Sequence, residues 1–124
     1  MSLTENPHAG SFIVSMADDG NLSTDNGVVA SGSGVLQPGT ALALNAAGKY
    51  VPIALTTPAT TDGTQNWAAF LFGRVDATSA DAPAVVVKRH AEVYASGLIW
   101  PAAATAPQQT AALAQAAAAL VVAR

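Results

Sequence analysis

From Ala95 to Ala123 the chain carries no charged residue: the stretch opens around a Trp100-Pro101 step, runs through mostly alanine and closes on Arg124. A segment this long without charge has to be covered, by lipid or by protein, over much of its surface. Lipid fails on length. A membrane-spanning helix needs about 20 consecutive apolar residues, and here Pro101, Thr105, Pro107, Gln108, Gln109, Thr110 and Gln115 interrupt the run. No signal peptide is expected either, because the first base of the chain is Lys49. Covering by protein remains: an ordinary helix packed on the chain's own sheet, or a subunit packed against copies of itself or against a larger partner. The whole chain of 124 residues agrees, with 10% charged and 51% apolar residues, where ordinary soluble domains carry about 25% charge.

The same composition removes several kinds of chemistry. There is no cysteine, hence no disulfide framework, thiolate zinc site or cysteine nucleophile. Residues 1–48 hold Glu5, Asp18, Asp19 and Asp25 and no base, and the five bases all fall later. Without a basic patch, direct nucleic-acid binding is not expected. Asp18, Asp19, Asn21 and Asp25 invite a calcium loop, but Thr24 stands where the loop needs glycine, so they read as solvated turn acids. "GSGVLQPG" has Gln37 in place of the third glycine of a dinucleotide fingerprint. The histidines are His8 and His90. A small hydrolase built on His90 would need a Ser or Asp partner within reach of the ring, and no G-x-S-x-G stretch is present. No catalytic residue, metal ligand or cofactor is expected. Trp67 and Trp100 are open to two readings: ligand stacking in a small β-rich binding module, or anchoring of a core or interface. Anchoring is the stronger, with Pro101 fixing the turn after Trp100.

Along the chain, residues 1–27 read as an extended N-terminal arm. It is polar at first, β-prone at "SFIVSM" (Ser11–Met16) and turn-rich from Ala17. Such a segment buries too little apolar surface to order alone, but it can add a strand to a partner's sheet edge. Phe12, Ile13, Val14, Ser15 and Met16 are the candidate contact residues, with Phe12 and Val14 on one face and Ile13 and Ser15 on the other. Residues 28–124 read as one domain of short strands. "TALALN" and "KYVPIAL" form a hairpin whose second strand Pro52 demotes to an edge or a bulge. "WAAFLFGRV" (Trp67–Val75), almost uninterrupted in its apolar character, reads as a strand buried on both faces and pairs with "AVVVKRHAEVY" (Ala84–Tyr94). Thr105-Ala106-Pro107-Gln108 fits a capping box and starts a helix over about 106–119. Leu113 and Leu120 share one face of it, with Ala116 and Ala117 between them. A last short strand covers Leu120–Arg124. The fold class is mainly β (α+β), a compact β domain with one C-terminal helix.

Three stretches in order, "GKYVP", "TDGTQNWAAFLFGRVDATSADAPAVVVKRHAEV" and "LIWPAAATAPQQTAALAQAAAALVVAR", resemble the head decoration proteins of tailed bacteriophages, the family of the phage lambda capsid-stabilising protein. The likeness covers about residues 28–124. The resemblance implies a β-clip-like subunit that forms a homotrimer on the outer surface of the expanded head. It would sit at threefold and quasi-threefold points between major capsid proteins and clamp them against internal genome pressure, without catalysis. It also implies a product made in the host cytoplasm and carried in the virion, whose N-terminal segment orders against the capsid.

Overall fold

Two hydrophobic cores meet across the apolar run Trp67–Val75, and the strands that separate them set the architecture. In the computed structural model the described residues are 8–124. They form β1 (Ile13–Met16), β2 (Thr24–Val29), β3 (Gly34–Leu36), β4 (Ala41–Leu44), β5 (Tyr50–Pro52), β6 (Ala69–Leu71), β7 (Val75–Ala77), β8 (Ala82–Val87), β9 (Ala91–Val93), the helix α1 (Ala106–Ala118) and β10 (Val121–Ala123). These ten strands make a closed barrel in the order β2-β5-β4-β6-β8, a three-stranded sheet β1-β9-β10 and a ribbon β3-β7. The fold is mainly β with a single C-terminal helix, as the sequence implied.

Alternation along the barrel strands feeds the two cores. Leu42, Ala69, Leu71, Ala84 and Val86 enter one, together with Val29 and Tyr50. Their neighbours Ala41, Ala43, Phe70 and Val87 enter the other, where they meet Phe12, Trp67, Val93, Leu98, Ala112, Ala116 and Val121. A strand covered on both sides has no room for polar residues, which is why β6 is apolar throughout. The expected hairpin is β4 with β5, antiparallel, with Leu42 opposite Pro52. On its other side β5 meets β2 only at Tyr50, opposite Val29, so the N–H that Pro52 lacks faces no ladder.

Two long strands read from the sequence are each broken in the structure. Trp67–Val75 divides at Phe72-Gly73-Arg74, after which β7 leaves the barrel to pair with β3. Ala84–Tyr94 divides at Lys88-Arg89-His90, where His90 adopts φ 50°. The corner is tied by Ser23, fully buried, whose carbonyl accepts from the Lys88 N–H at 2.9 Å. Its hydroxyl donates to the His90 carbonyl at 2.8 Å and accepts from the Ala17 N–H at 2.9 Å.

The N-terminal segment also departs from expectation. Residues 1–7 of the expected arm lie outside the described residues. From Gly10 onward the chain is built into the body: the Gly10 N–H donates to the Phe72 carbonyl, Phe12 is 1% exposed, β1 runs antiparallel to β9 and β2 to β8. The physical reason is Phe12, whose ring fills the core beside Phe70 at 6.3 Å between centroids. Nor do Phe12 and Val14 share a face, because the register shifts between Ile13 and Ser15 and turns Val14 outward.

The helix starts as read. The Thr105 hydroxyl accepts from the Gln108 N–H, and the Gln108 side chain accepts from the Thr105 N–H, a cap worth about 1 kcal/mol. Of the face that Leu113 and Leu120 were expected to share, Ala116 is buried and Leu113 packs against the core; Ala112 is buried beside them, and the small alanine side chains let the helix backbone approach the sheet. Leu120 falls beyond the helix in a left-handed turn (φ 63°) and is exposed. β10 then pairs parallel to β9.

Two outcomes test this packing. Gly39 has φ 92°, and a Cβ there would strike the Gly97 carbonyl oxygen, whereas Gly48 has φ 77° and open space around it. Gly48→Ala should cost about 1–2 kcal/mol, the strain of the left-handed backbone alone, and Gly39→Ala clearly more, as read from denaturant melts. Phe12→Ala should cost about 3–5 kcal/mol; an unchanged melt would remove Phe12 from the core.

Candidate functional site

The anchors named from the sequence converge on Phe70. The Trp67 ring lies tilted at 5.3 Å and the Trp100 ring edge-on at 6.2 Å, with Phe12 completing the cluster. Aromatic pairs in such geometry contribute about 0.5–1.5 kcal/mol each beyond the area they bury. Trp67 is buried, and its backbone N–H donates to Gln115 Oε1 at 2.7 Å, which fixes α1 against the barrel. Trp100 is half-buried and lines an apolar recess of about 280 Å³ with Ile53, Ile99 and Pro101. The structure therefore brings Trp67 and Trp100 together through a third ring that sequence reading did not single out.

The expected contact residues sit on the three-stranded sheet. The Ser15 hydroxyl donates to Glu92 at 3.0 Å, and Arg124 Nε donates to the other oxygen of the same carboxylate at 3.0 Å. Arg124 first and Ser15 second hold the Glu92 carboxyl below its usual range. Strands β1 and β10 flank β9, so each has one bonded and one open edge. Val14, Tyr94, Leu120 and Val122 are exposed on or beside this sheet. His90, at the corner before β9, presents no ring hydrogen bond to a Ser or Asp among the described residues, and no cluster of His, Asp or Glu there could hold a metal ion.

Charge is placed sparingly. Arg89 makes a bidentate pair with Asp25 at 2.9 and 2.7 Å, which holds that carboxyl below its usual range. Lys49 pairs with Asp81 at 2.6 Å, and Arg124 with Glu92. Lys88 reaches the Tyr50 hydroxyl at 3.4 Å and lies over its ring. Arg74, exposed, makes no hydrogen bond or ion pair among the described residues. It stands beside Phe72, Val75, Pro83 and Val85 on the rim of an apolar groove. No local pattern announces this groove, because it exists only once β2, β7 and β8 are brought together.

Among the described residues nine large apolar side chains are exposed: Val14, Leu22, Val28, Val35, Val85, Tyr94, Ile99, Leu120 and Val122. Several lie close together, and apolar surface that clusters marks a place of association. No curated protein matches the chain. The family model described as bacteriophage lambda head decoration protein D matches residues 2–121. That match takes in nearly the whole chain, the N-terminal strand and the C-terminal helix included, and the chain therefore belongs to the bacteriophage lambda head decoration protein D family.

Proposed function

We propose that the protein is a structural cement subunit. It forms a homotrimer seated on the outer surface of the expanded phage head, at threefold and quasi-threefold points between major capsid proteins, and it stiffens the shell against internal genome pressure. It is made in the host cytoplasm and acts in the virion. The observation that carries this reading, beside the family, is the set of nine exposed apolar side chains on a chain with so few charges. Cover by two sister subunits and by the capsid would remove them from water. Burial of apolar area stabilises such contacts by roughly 25 cal/mol per Å², while few charges need to be desolvated.

In this reading the capsid contact includes the open edge of β1. Its backbone can extend a partner's sheet through Val14 and Ser15, which point outward, while Phe12 stays in the body as the root of the strand. The alternative of a ligand-binding module is disfavoured by the use of Trp67 and Trp100 as packing partners of Phe70. The alternative of a small hydrolase has no support in the surroundings of His90.

Light scattering during size exclusion should give three times the 12.4 kDa chain mass, and the purified protein should co-sediment with expanded heads that lack decoration. A monomer at micromolar concentration, or heads that pellet without the protein, would overturn the proposal. A chain without residues 1–7 should keep the trimer mass and melting temperature and bind heads more weakly, since the body from Gly10 onward holds itself.

A further inference from the structure

The groove beside Arg74 has the chemistry of a docking surface. In the pairing of β2 with β8, Val28 lies opposite Pro83 and Asn26 opposite Val85. Residues two apart on a strand share a face, so these four stand together on the outer wall of the barrel. All four are exposed, Val28 at 40% and Val85 at 39%. Next to them the chain turns out of β6 through Phe72 and Gly73, and the groove between holds about 340 Å³.

Its rim carries one cation. Of the five bases, Lys49, Arg89 and Arg124 are paired with carboxylates, and Lys88 is taken up by Tyr50. Among the described residues Arg74 alone has neither a carboxylate nor a hydrogen-bond partner. The nearby Asp76 does not serve it: that carboxylate accepts from the Thr78 hydroxyl at 2.6 Å and the Thr78 N–H at 3.1 Å, and Arg74 acts on it only weakly through space. A free guanidinium beside an apolar strip selects a partner that brings a carboxylate next to apolar side chains. The N-terminal segment joins the body at the same place: Ala9 lies over Gly73, and the Gly10 N–H is bonded to the Phe72 carbonyl. A partner that engages the N-terminal segment therefore reaches this groove without leaving that side of the subunit.

We infer that the Val28–Pro83–Val85 strip, with Arg74 at its rim, docks a segment of the capsid shell that carries an Asp or Glu beside apolar residues, the carboxylate pairing with Arg74. The inference rests on the cement reading above and adds the face and the partner chemistry. The groove is a contact with the shell and not with a second copy of this chain.

The test compares the wild type, Arg74→Glu, Val85→Asp, a chain lacking residues 1–7 and that shortened chain with Arg74→Glu, by co-sedimentation with undecorated expanded heads over a range of salt concentrations. Melting temperature and oligomer mass are measured on each. Both substitutions lie on exposed positions and should leave melting and mass unchanged. Arg74→Glu should weaken head binding roughly tenfold or more and flatten its salt dependence, and Val85→Asp should weaken it comparably at every salt concentration. Wild-type binding matched by both variants would overturn the inference while leaving the cement reading in place. A wild type that does not bind heads would instead remove that reading. A changed oligomer mass in either variant would assign the groove to a second copy. Loss of binding by Arg74→Glu in the full chain but not in the chain lacking residues 1–7 would assign it to the protein's own N-terminal residues.

Discussion

Everything in this small fold leans on one ring. Phe70 lies in the middle of β6, wholly buried, and touches Phe12, Trp67 and Trp100. Those contacts join the N-terminal strand, the barrel and the segment that leads into the helix, three parts of the chain that share no neighbouring sequence. Because β6 is covered on both faces, Phe70 can serve the aromatic core while Ala69 and Leu71 serve the barrel core. A barrel of five short strands encloses little volume of its own. The second core, on the outside of its wall, supplies much of the remaining burial and recruits the helix and the three-stranded sheet to do so.

What could be read from the sequence was what neighbouring residues decide among themselves. The capping box at Thr105 and Gln108 is complete within four residues, so it was visible, as was the β4–β5 hairpin. The continuous apolar run at β6 announced burial on both faces but not where the run would break. The corner at His90 has no signature, since a left-handed histidine is held by Ser23, far away in sequence, and not by any local preference. The face of the helix was legible in part: Leu113 and Ala116 pack against the core, while Leu120 falls in a left-handed turn beyond the helix and nothing singled out Ala112 among so many alanines. The placement of residues 10–27 in the body was hidden for the same reason as the groove beside Arg74. Each depends on a partner strand many residues downstream.

The surface follows a simple division. Among the described residues three of the five bases are matched to carboxylates on the spot, at Asp25 with Arg89, Asp81 with Lys49 and Glu92 with Arg124. The exposed apolar side chains are left unmatched. Exposed pairs of this kind add little to stability, typically 0–1 kcal/mol, but they neutralise charge that would otherwise have to be desolvated when neighbouring protein closes over the surface. In the proposed cement role this arrangement would let contacts form by shape and apolar area, with a free charge left to choose orientation.

The three-stranded sheet has a further consequence, for how the molecule comes into being. Its middle strand, β9, is among the last to be made, yet β1, among the first, has no other partner, and β10 can pair with β9 only after the crossover through α1 has been completed. β2 likewise waits for β8. Early pairing along the growing chain is therefore confined to the β4–β5 hairpin and its neighbours, and the loop-closure entropy of the rest falls due late. The apolar run that begins at Phe12 therefore has no strand partner until β9 has been made, and the three-stranded sheet closes only when both of its flanking strands can reach that middle one.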